Sequence, residues 1–282
     1  MTLQEAESLT ILRGTVGSVV SGLSIAEVPD RDEMAICIEP LSEAMGLGAP
    51  FEQLVYRSAS ERTGQHDAPS EGGDLDLTIY SLRKYLRLAL KGNPTVLTLL
   101  FLSLEKGQLS VQDARGSNLQ ALRPYIISRQ AGKAFLGYLQ AQRQRMLGER
   151  GNGGHGKPRG ELTEKYGFDT KFAMHMLRLG FQGVELLETG SLSFPMKQPS
   201  RDYLIGVRRG EASIQDCLTK AGELEAHLKD LLDSSPLQAE PVVEPVEEFM
   251  LRTYFYAWSS RRAHDQWPDP TLFWAASPRT DK

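Results

Sequence analysis

Cysteine is almost missing from this chain: Cys37 and Cys217 are the only two in 282 residues. They stand far apart and without metal-ligand spacing, which excludes a zinc module and a disulfide-stapled fold. Both read as small buried hydrophobes in a reducing compartment. Also missing is any run of about 18 uncharged apolar residues, so no membrane-spanning helix and no membrane partner are expected. The N-terminus "MTLQEAESLTILRG" has neither the basic start nor the apolar stretch of a signal peptide, and the expected location is cytoplasmic. Excess positive charge is absent as well. Thirty-two Lys and Arg against 36 Asp and Glu give a net charge of −4, which excludes a non-specific nucleic-acid coat but leaves room for a local basic groove. There is no internal repeat and no heptad run.

What is present, 40% hydrophobic and 24% charged residues, suits one enzyme-sized unit of two lobes. Residues 9–13 read as a short buried strand ended by Gly14 and Gly17, residues 32–39 as a second strand and 74–80 as a third. The stretch "RSASERTGQHDAPSEGGD" before the third strand reads as a polar surface loop, with His66 and Asp67 solvated. From Ser81 the period becomes helical through Leu82, Tyr85, Leu86 and Ala89, stopping at Gly92-Asn93-Pro94, and a further apolar helix begins at Thr95. Arg83, Lys84 and Arg87 fall on the solvent side of the first of these helices.

Ser128 is the expected cap of a helix reaching Leu147. "GERGNGGHGKPRG" then breaks it with a Gly-rich loop carrying Arg150, His155, Lys157 and Arg159. Asp169 caps a helix predicted to end near Gly180, with Lys171, His175 and Arg178 at i, i+4 and i+7 on one face. Such a face binds anions or is merely solvated. Residues 213–233 form an amphipathic core helix. The Pro-rich "PLQAEPVVEPVEE" reads as a linker or extended crossing, and the aromatic segments after it as a docking piece that covers the body.

Chemistry is suggested by one constellation. Strand residues two apart share a face, so Asp30 and Asp32 present two carboxylates to one spot, and Asp74 and Asp76 do the same on the next predicted strand. Paired carboxylates repel unless a cation lies between them, and Mg²⁺ takes oxygen ligands from few carboxylates plus substrate phosphates. Just upstream, "GSVVSGL" places Gly17 and Ser18 in a turn where backbone N–H groups can approach an anion and the hydroxyl can donate to a phosphate oxygen.

A Gly-Ser turn, then Asp-x-Asp, then a third Asp on a later strand resembles the nucleotidyltransferase superfamily that includes DNA polymerase beta. Through "DRDEMAI", "DLTIYSLRKYLRLALKGNPTVL" and "DTKFAMHMLRLGFQGVELLETGSLSFP", the chain is similar to the predicted nucleotidyltransferases associated with RNA repair, over roughly residues 11–205. The resemblance implies an α/β (α+β) fold with a polymerase-beta-like lobe and mixed sheet. The expected division is a catalytic domain over 1–125, a helical domain closing the cleft over 126–235, and a linker with docking segment over 236–282. It implies that Gly17 and Ser18 hold triphosphate, that Asp30 and Asp32 bind two Mg²⁺ (or Mn²⁺) ions, and that Asp76 binds the metal at the attacking group, with Asp74 in reserve.

Lys171, His175 and Arg178 are the expected nucleotide-binding side chains of the helical part, with Lys84, Asn93 and Arg201 as supporting candidates. One departure is Pro29, where the superfamily commonly has Ser before the first aspartate; it donates no hydrogen bond. The implied activity is transfer of a nucleoside monophosphate from an NTP, ATP or CTP, to RNA or tRNA with release of pyrophosphate. The alternatives are AMP transfer onto a protein side chain and a nucleotide-binding regulator without turnover.

Overall fold

The computed structural model describes residues 1–65, 68, 70–147 and 160–262. In chain order the elements are α1 Leu3–Ser8, β1 Thr10–Thr15, α2 Gly17–Val20, β2 Arg31–Cys37, α3 Leu41–Met45, β3 Gln53–Arg57, α4 Ser58–Thr63, β4 Leu75–Ser81, α5 Leu82–Leu90 and α6 Pro94–Leu97. A 3₁₀ turn over Thr98–Phe101 follows, then β5 Leu109–Gln112, α7 Ala114–Ala121, α8 Arg123–Ile126, α9 Arg129–Met146, α10 Gly160–Tyr166, α11 Thr170–Thr189, α12 Ser200–Arg209, α13 Ile214–Ser234 and α14 Val243–Arg262. His66, Asp67, the basic loop from Arg150 to Arg159 and the aromatic residues after Arg262 lie outside the described residues.

The strands form one mixed sheet in the order β3-β4-β2-β1-β5, with β2 and β4 parallel and the other neighbours antiparallel. β2 is central and covered on both faces, which is why Met34 to Cys37 form an unbroken buried run. Met34, Ile36 and Ile38 join the large core that includes Leu82, Tyr85, Phe135 and Leu177. Ala35, Cys37, Leu77 and Ile79 pack on the other face with Ala6 of α1. Both cysteines are fully buried.

The helical part packs through glycine notches. A Cβ at Gly180 would stand 2.7 Å from Leu139 of α9 and 2.8 Å from Leu224 of α13, and one at Gly183 would stand 2.8 Å from Phe135. α11 therefore runs on to Thr189 instead of ending near Gly180, because its glycines admit neighbouring helices rather than terminate it. Gly14 likewise lies inside β1, paired with Met34 and Leu109, and does not end the strand. Strands β3 and β5 and helix α4 go beyond the elements expected from the sequence: β3 is a half-exposed edge strand and β5 has only four residues, so neither carries a clear period.

Helix α14 begins at Val243, inside the stretch expected as a linker or extended crossing through Glu248, and carries the aromatic residues from Phe249 onward that contact the body. The crossing before it is tied down. Gln238 Nε2 donates to the carbonyls of Pro124, Tyr125 and Ile127, and Val242 N donates to Tyr125 O. Tyr254 Oη donates to Glu39 Oε1 at 2.8 Å and accepts from Arg83 N at 3.0 Å, while Trp258 Nε1 donates to the Glu39 carbonyl at 3.0 Å. The two rings stack at 4.7 Å. Among the described residues no helix is long and apolar enough to cross a membrane.

Glu39 is only 2% exposed, and burial holds its carboxyl above the ordinary range despite hydrogen bonds that favour the charged form. A carboxyl raised on folding contributes stability that is full below its unfolded value and is lost as pH rises through the folded one. Glu39→Gln keeps the shape without the charge. The melting temperature of the variant relative to the parent is therefore expected to rise between pH 4 and pH 7; a difference that is flat or falls with pH contradicts this account of Glu39.

Candidate active site

The parallel register of β2 and β4 pairs Asp32 with Asp76, Met34 with Thr78 and Ile36 with Tyr80. Neighbouring strands lie about 4.8 Å apart, so Asp32 and Asp76 stand side by side at the start of both strands. Burial raises the Asp32 pKa first and the charge of Asp76 second; Lys171 opposes the rise, Asp30 adds to it and Arg178 opposes it again. Asp76 is braced by cross-strand Arg57, whose Nε lies 3.1 Å from Oδ1, and by Ser70 Oγ at 3.1 Å from Oδ2.

Asp74 has a different environment. Its oxygens accept from Ser58 Oγ at 2.8 Å, the Glu71 N–H at 2.8 Å and Arg62 at 3.0 Å, which hold its carboxyl below the ordinary range, the Glu71 backbone contributing most. It braces the loop before β4, whereas Asp76 lines the cavity described below. Asp30 precedes β2, is half-buried and reaches Asp32 through its charge without lining the cavity.

Gly17 begins α2 at φ +76°, in the left-handed region, and a Cβ there would fall 2.5 Å from Asp32 Oδ2. The backbone is drawn in by Val16 N donating to Asp32 O at 2.8 Å. No side chain fits between that backbone and the carboxylate. Ser18 lies outside the cavity lining. The neighbouring hydroxyl on the cavity is that of Ser21, which donates to Gly17 O at 2.8 Å.

The opposite wall is α11, whose first turn is capped by Asp169 Oδ1 accepting from Phe172 N at 2.9 Å. His175 and Arg178 face the cavity, and the charges of Lys171 and Arg178 both act on Asp32. This side of the helix is therefore turned toward the sheet rather than simply solvated. Arg178 Nη2 lies 3.0 Å from His175 Nδ1. A guanidinium can only donate, so Nδ1 accepts and the ring proton sits on Nε2. Burial first, and Arg178 second, push the His175 pKa down to about 3, so the ring is neutral beside a cation. Arg178 is itself pushed down to about 10 by burial, opposed by Asp32, and its buried Nε has no hydrogen-bond partner among the described residues.

Floor and wall enclose a cavity of about 330 Å³, closed by Thr95, Thr98 and Gln182. Thr78, Tyr80, Thr98, Ser21 and Gln182 are additions that the sequence reading does not contain. A signal exists for three of them: Asp76, Thr78 and Tyr80 alternate with buried Leu77 and Ile79, and Gln182 continues the His175–Arg178 stripe at i+7 and i+4. Three supporting candidates fall elsewhere. Lys84 pairs with Glu52 at 2.6 Å, Asn93 caps α6 by accepting from Thr95 N at 3.0 Å, and Arg201 packs beside Gly22.

Among the described residues no group of three or more His, Cys, Asp or Glu converges to hold a metal by itself. The pair Asp32–Asp76 nonetheless suits a hard divalent cation. Two oxygen-donor side chains repel each other beside a cavity large enough for phosphate oxygens to complete the shell.

A model of the RNA repair pathway DNA polymerase beta family matches residues 2–242. α14 begins just past that match. No curated protein matches the chain. Among solved structures it is similar to a nucleotidyltransferase-like protein from Exiguobacterium sibiricum 255-15, at 12% identity over 82% of this chain and 71% of that one, with a TM-score of 0.30.

The fit of Gly17 against Asp32 can be tested by a double-mutant cycle. Gly17→Ala is expected to lower stability by about 2 kcal/mol or more, from left-handed strain of roughly 1 kcal/mol plus the clash. In an Asp32→Ala background the strain remains but the 2.5 Å clash with the carboxylate is gone, so the loss is expected to be smaller. Equal losses in the two backgrounds, measured by urea denaturation, would show that the two residues do not touch.

Proposed function

Because the chain belongs to the RNA repair pathway DNA polymerase beta family, we propose that it transfers a nucleoside monophosphate from an NTP to an acceptor hydroxyl. The observation that carries this reading is the carboxylate pair Asp32–Asp76 facing the cations of α11 across one cavity. A polyphosphate with bound cations is the ligand whose charges match both walls at once. Mg²⁺ or Mn²⁺ held by Asp32 and Asp76, with Asp30 beside them, would lower the pKa of the attacking hydroxyl and neutralise the leaving pyrophosphate.

The chain's own groups account for the rest. Arg178 and Lys171 add positive charge where the leaving group develops negative charge. Neutral His175 holds Arg178 in place through Nδ1 and leaves the cation undiminished. The bare backbone at Gly17 lets the triphosphate approach the Asp32 carboxylate closely. The acceptor oxygen bonds to the α-phosphorus, the bond from that phosphorus to the β-bridging oxygen breaks, pyrophosphate departs and the hydroxyl proton passes to solvent. RNA or tRNA is the proposed acceptor, supported by the family's description, and ATP or CTP the proposed donor.

Asp32→Asn and Asp76→Asn are each expected to abolish transfer of labelled nucleotide, with the melting temperature equal or higher for Asp32→Asn, where the amide removes the repulsion, and somewhat lower for Asp76→Asn, which also loses the charge facing Arg57. Asp74→Asn is expected to keep transfer within a few-fold and to lower the melting temperature through its lost loop contacts. Activity near the parent's in either of the first two variants would end this reading, and loss in the third alone would reassign the ligand. RNA affinity measured at several salt concentrations is expected to fall with a shallow slope, on the order of two to four phosphate contacts, as suits a chain of net charge −4. No RNA binding at low salt with NTP binding intact would move the acceptor to a protein side chain.

A further inference from the structure

The cavity changes character along its length. On β4 the cavity side chains run from Asp76 through Thr78 to Tyr80, about 13 Å of strand. On α11 the stripe runs from Lys171 through His175 and Arg178 to Gln182, which lies about 10 Å of helix beyond His175. Each element passes from charge to uncharged hydrogen-bonding or aromatic groups. The charged end is matched to phosphates, so the other end receives the part of the nucleotide that bears no charge.

At that end two polar side chains open onto the cavity. Gln182 is 7% exposed and Thr98 is 8% exposed, both line the cavity, and neither side chain has a hydrogen-bond partner among the described residues. Their polar atoms are accessible from the cavity rather than sealed in the protein, so a ligand or ordered water that enters can complete their hydrogen bonds. Tyr80, Pro94 and Leu179 line the same cavity and supply apolar surface of the kind that takes a planar ring.

We propose that Gln182 is the specificity-determining residue that reads the hydrogen-bonding edge of the incoming nucleobase, with Thr98 Oγ1 as a second contact. This rests on the nucleotide-transfer reading above. A carboxamide offers one donor and one acceptor side by side, the complement of a base edge that offers one of each. A neutral reader at this position distinguishes bases without disturbing the charges that hold the phosphates.

The test measures equilibrium affinity of the full chain for ATP, CTP, GTP, UTP and inorganic tripolyphosphate, with melting temperature as the folding control. Gln182→Leu keeps volume and removes both hydrogen bonds. It is expected to weaken the preferred NTP about tenfold or more, to compress the differences among the four, and to leave tripolyphosphate affinity unchanged. Gln182→Glu, which accepts but does not donate, is expected to shift relative affinity toward GTP, whose base presents two adjacent donors. An order of the four NTPs unchanged in both variants overturns the proposal, as does tripolyphosphate affinity falling in parallel with NTP affinity. A parent chain that binds tripolyphosphate and no NTP more tightly removes the base pocket alone; one that binds neither removes the nucleotide-transfer reading and this proposal together.

Discussion

Parallel pairing of β2 with β4 forces two carboxylates into adjacent positions in a half-buried setting, and the surrounding architecture answers that repulsion. The strands cannot slide apart by a residue, because Ala35, Cys37, Leu77 and Ile79 are locked into one core while Met34 and Ile36 belong to the other. Relief must come from side chains brought in by other elements. Arg57 arrives from the edge strand β3, and Lys171 and Arg178 from a helix nearly a hundred positions downstream. The helical part is thus an electrostatic counterpart to the sheet as well as its cover.

His175 shows how the wall keeps its charge. A protonated imidazole beside a buried guanidinium would put two cations in contact, and desolvation removes the proton instead. The result is a neutral acceptor that fixes the orientation of Arg178. Among the described residues the buried Arg178 Nε has no hydrogen-bond partner, and the Gln182 carboxamide opens onto the same cavity.

Much of this is legible in the sequence where local chemistry decides the outcome. The strand period carries Asp32 and Asp76, the Asp169 cap marks the start of α11, and the i, i+4, i+7 spacing puts Lys171, His175 and Arg178 on one face. Legibility fails where a partner distant in sequence decides. Asp74 and Asp76 look alike until Ser58 and Arg62 are seen to engage the first. Gly180 signals a helix end locally, and only the approach of Leu139 and Leu224 makes it a packing notch. Ser18 and Ser21 flank the same turn, and the fold, not the motif, decides which hydroxyl meets the cavity. α14 hides behind three prolines, although Pro at a helix's first turn is compatible with helix formation.

The clamp of Tyr254 and Trp258 on Glu39 spans 215 and 219 positions of chain. Glu39 follows the end of β2, and Arg83, whose N–H meets the same tyrosine, follows the end of β4. The far ends of both carboxylate-bearing strands are therefore finished by a helix that is synthesised well after both of them. Until that helix has been made, Glu39 has neither of its aromatic partners. Two strands that begin side by side at the cavity thus depend, at their other ends, on one segment contributed from far along the chain.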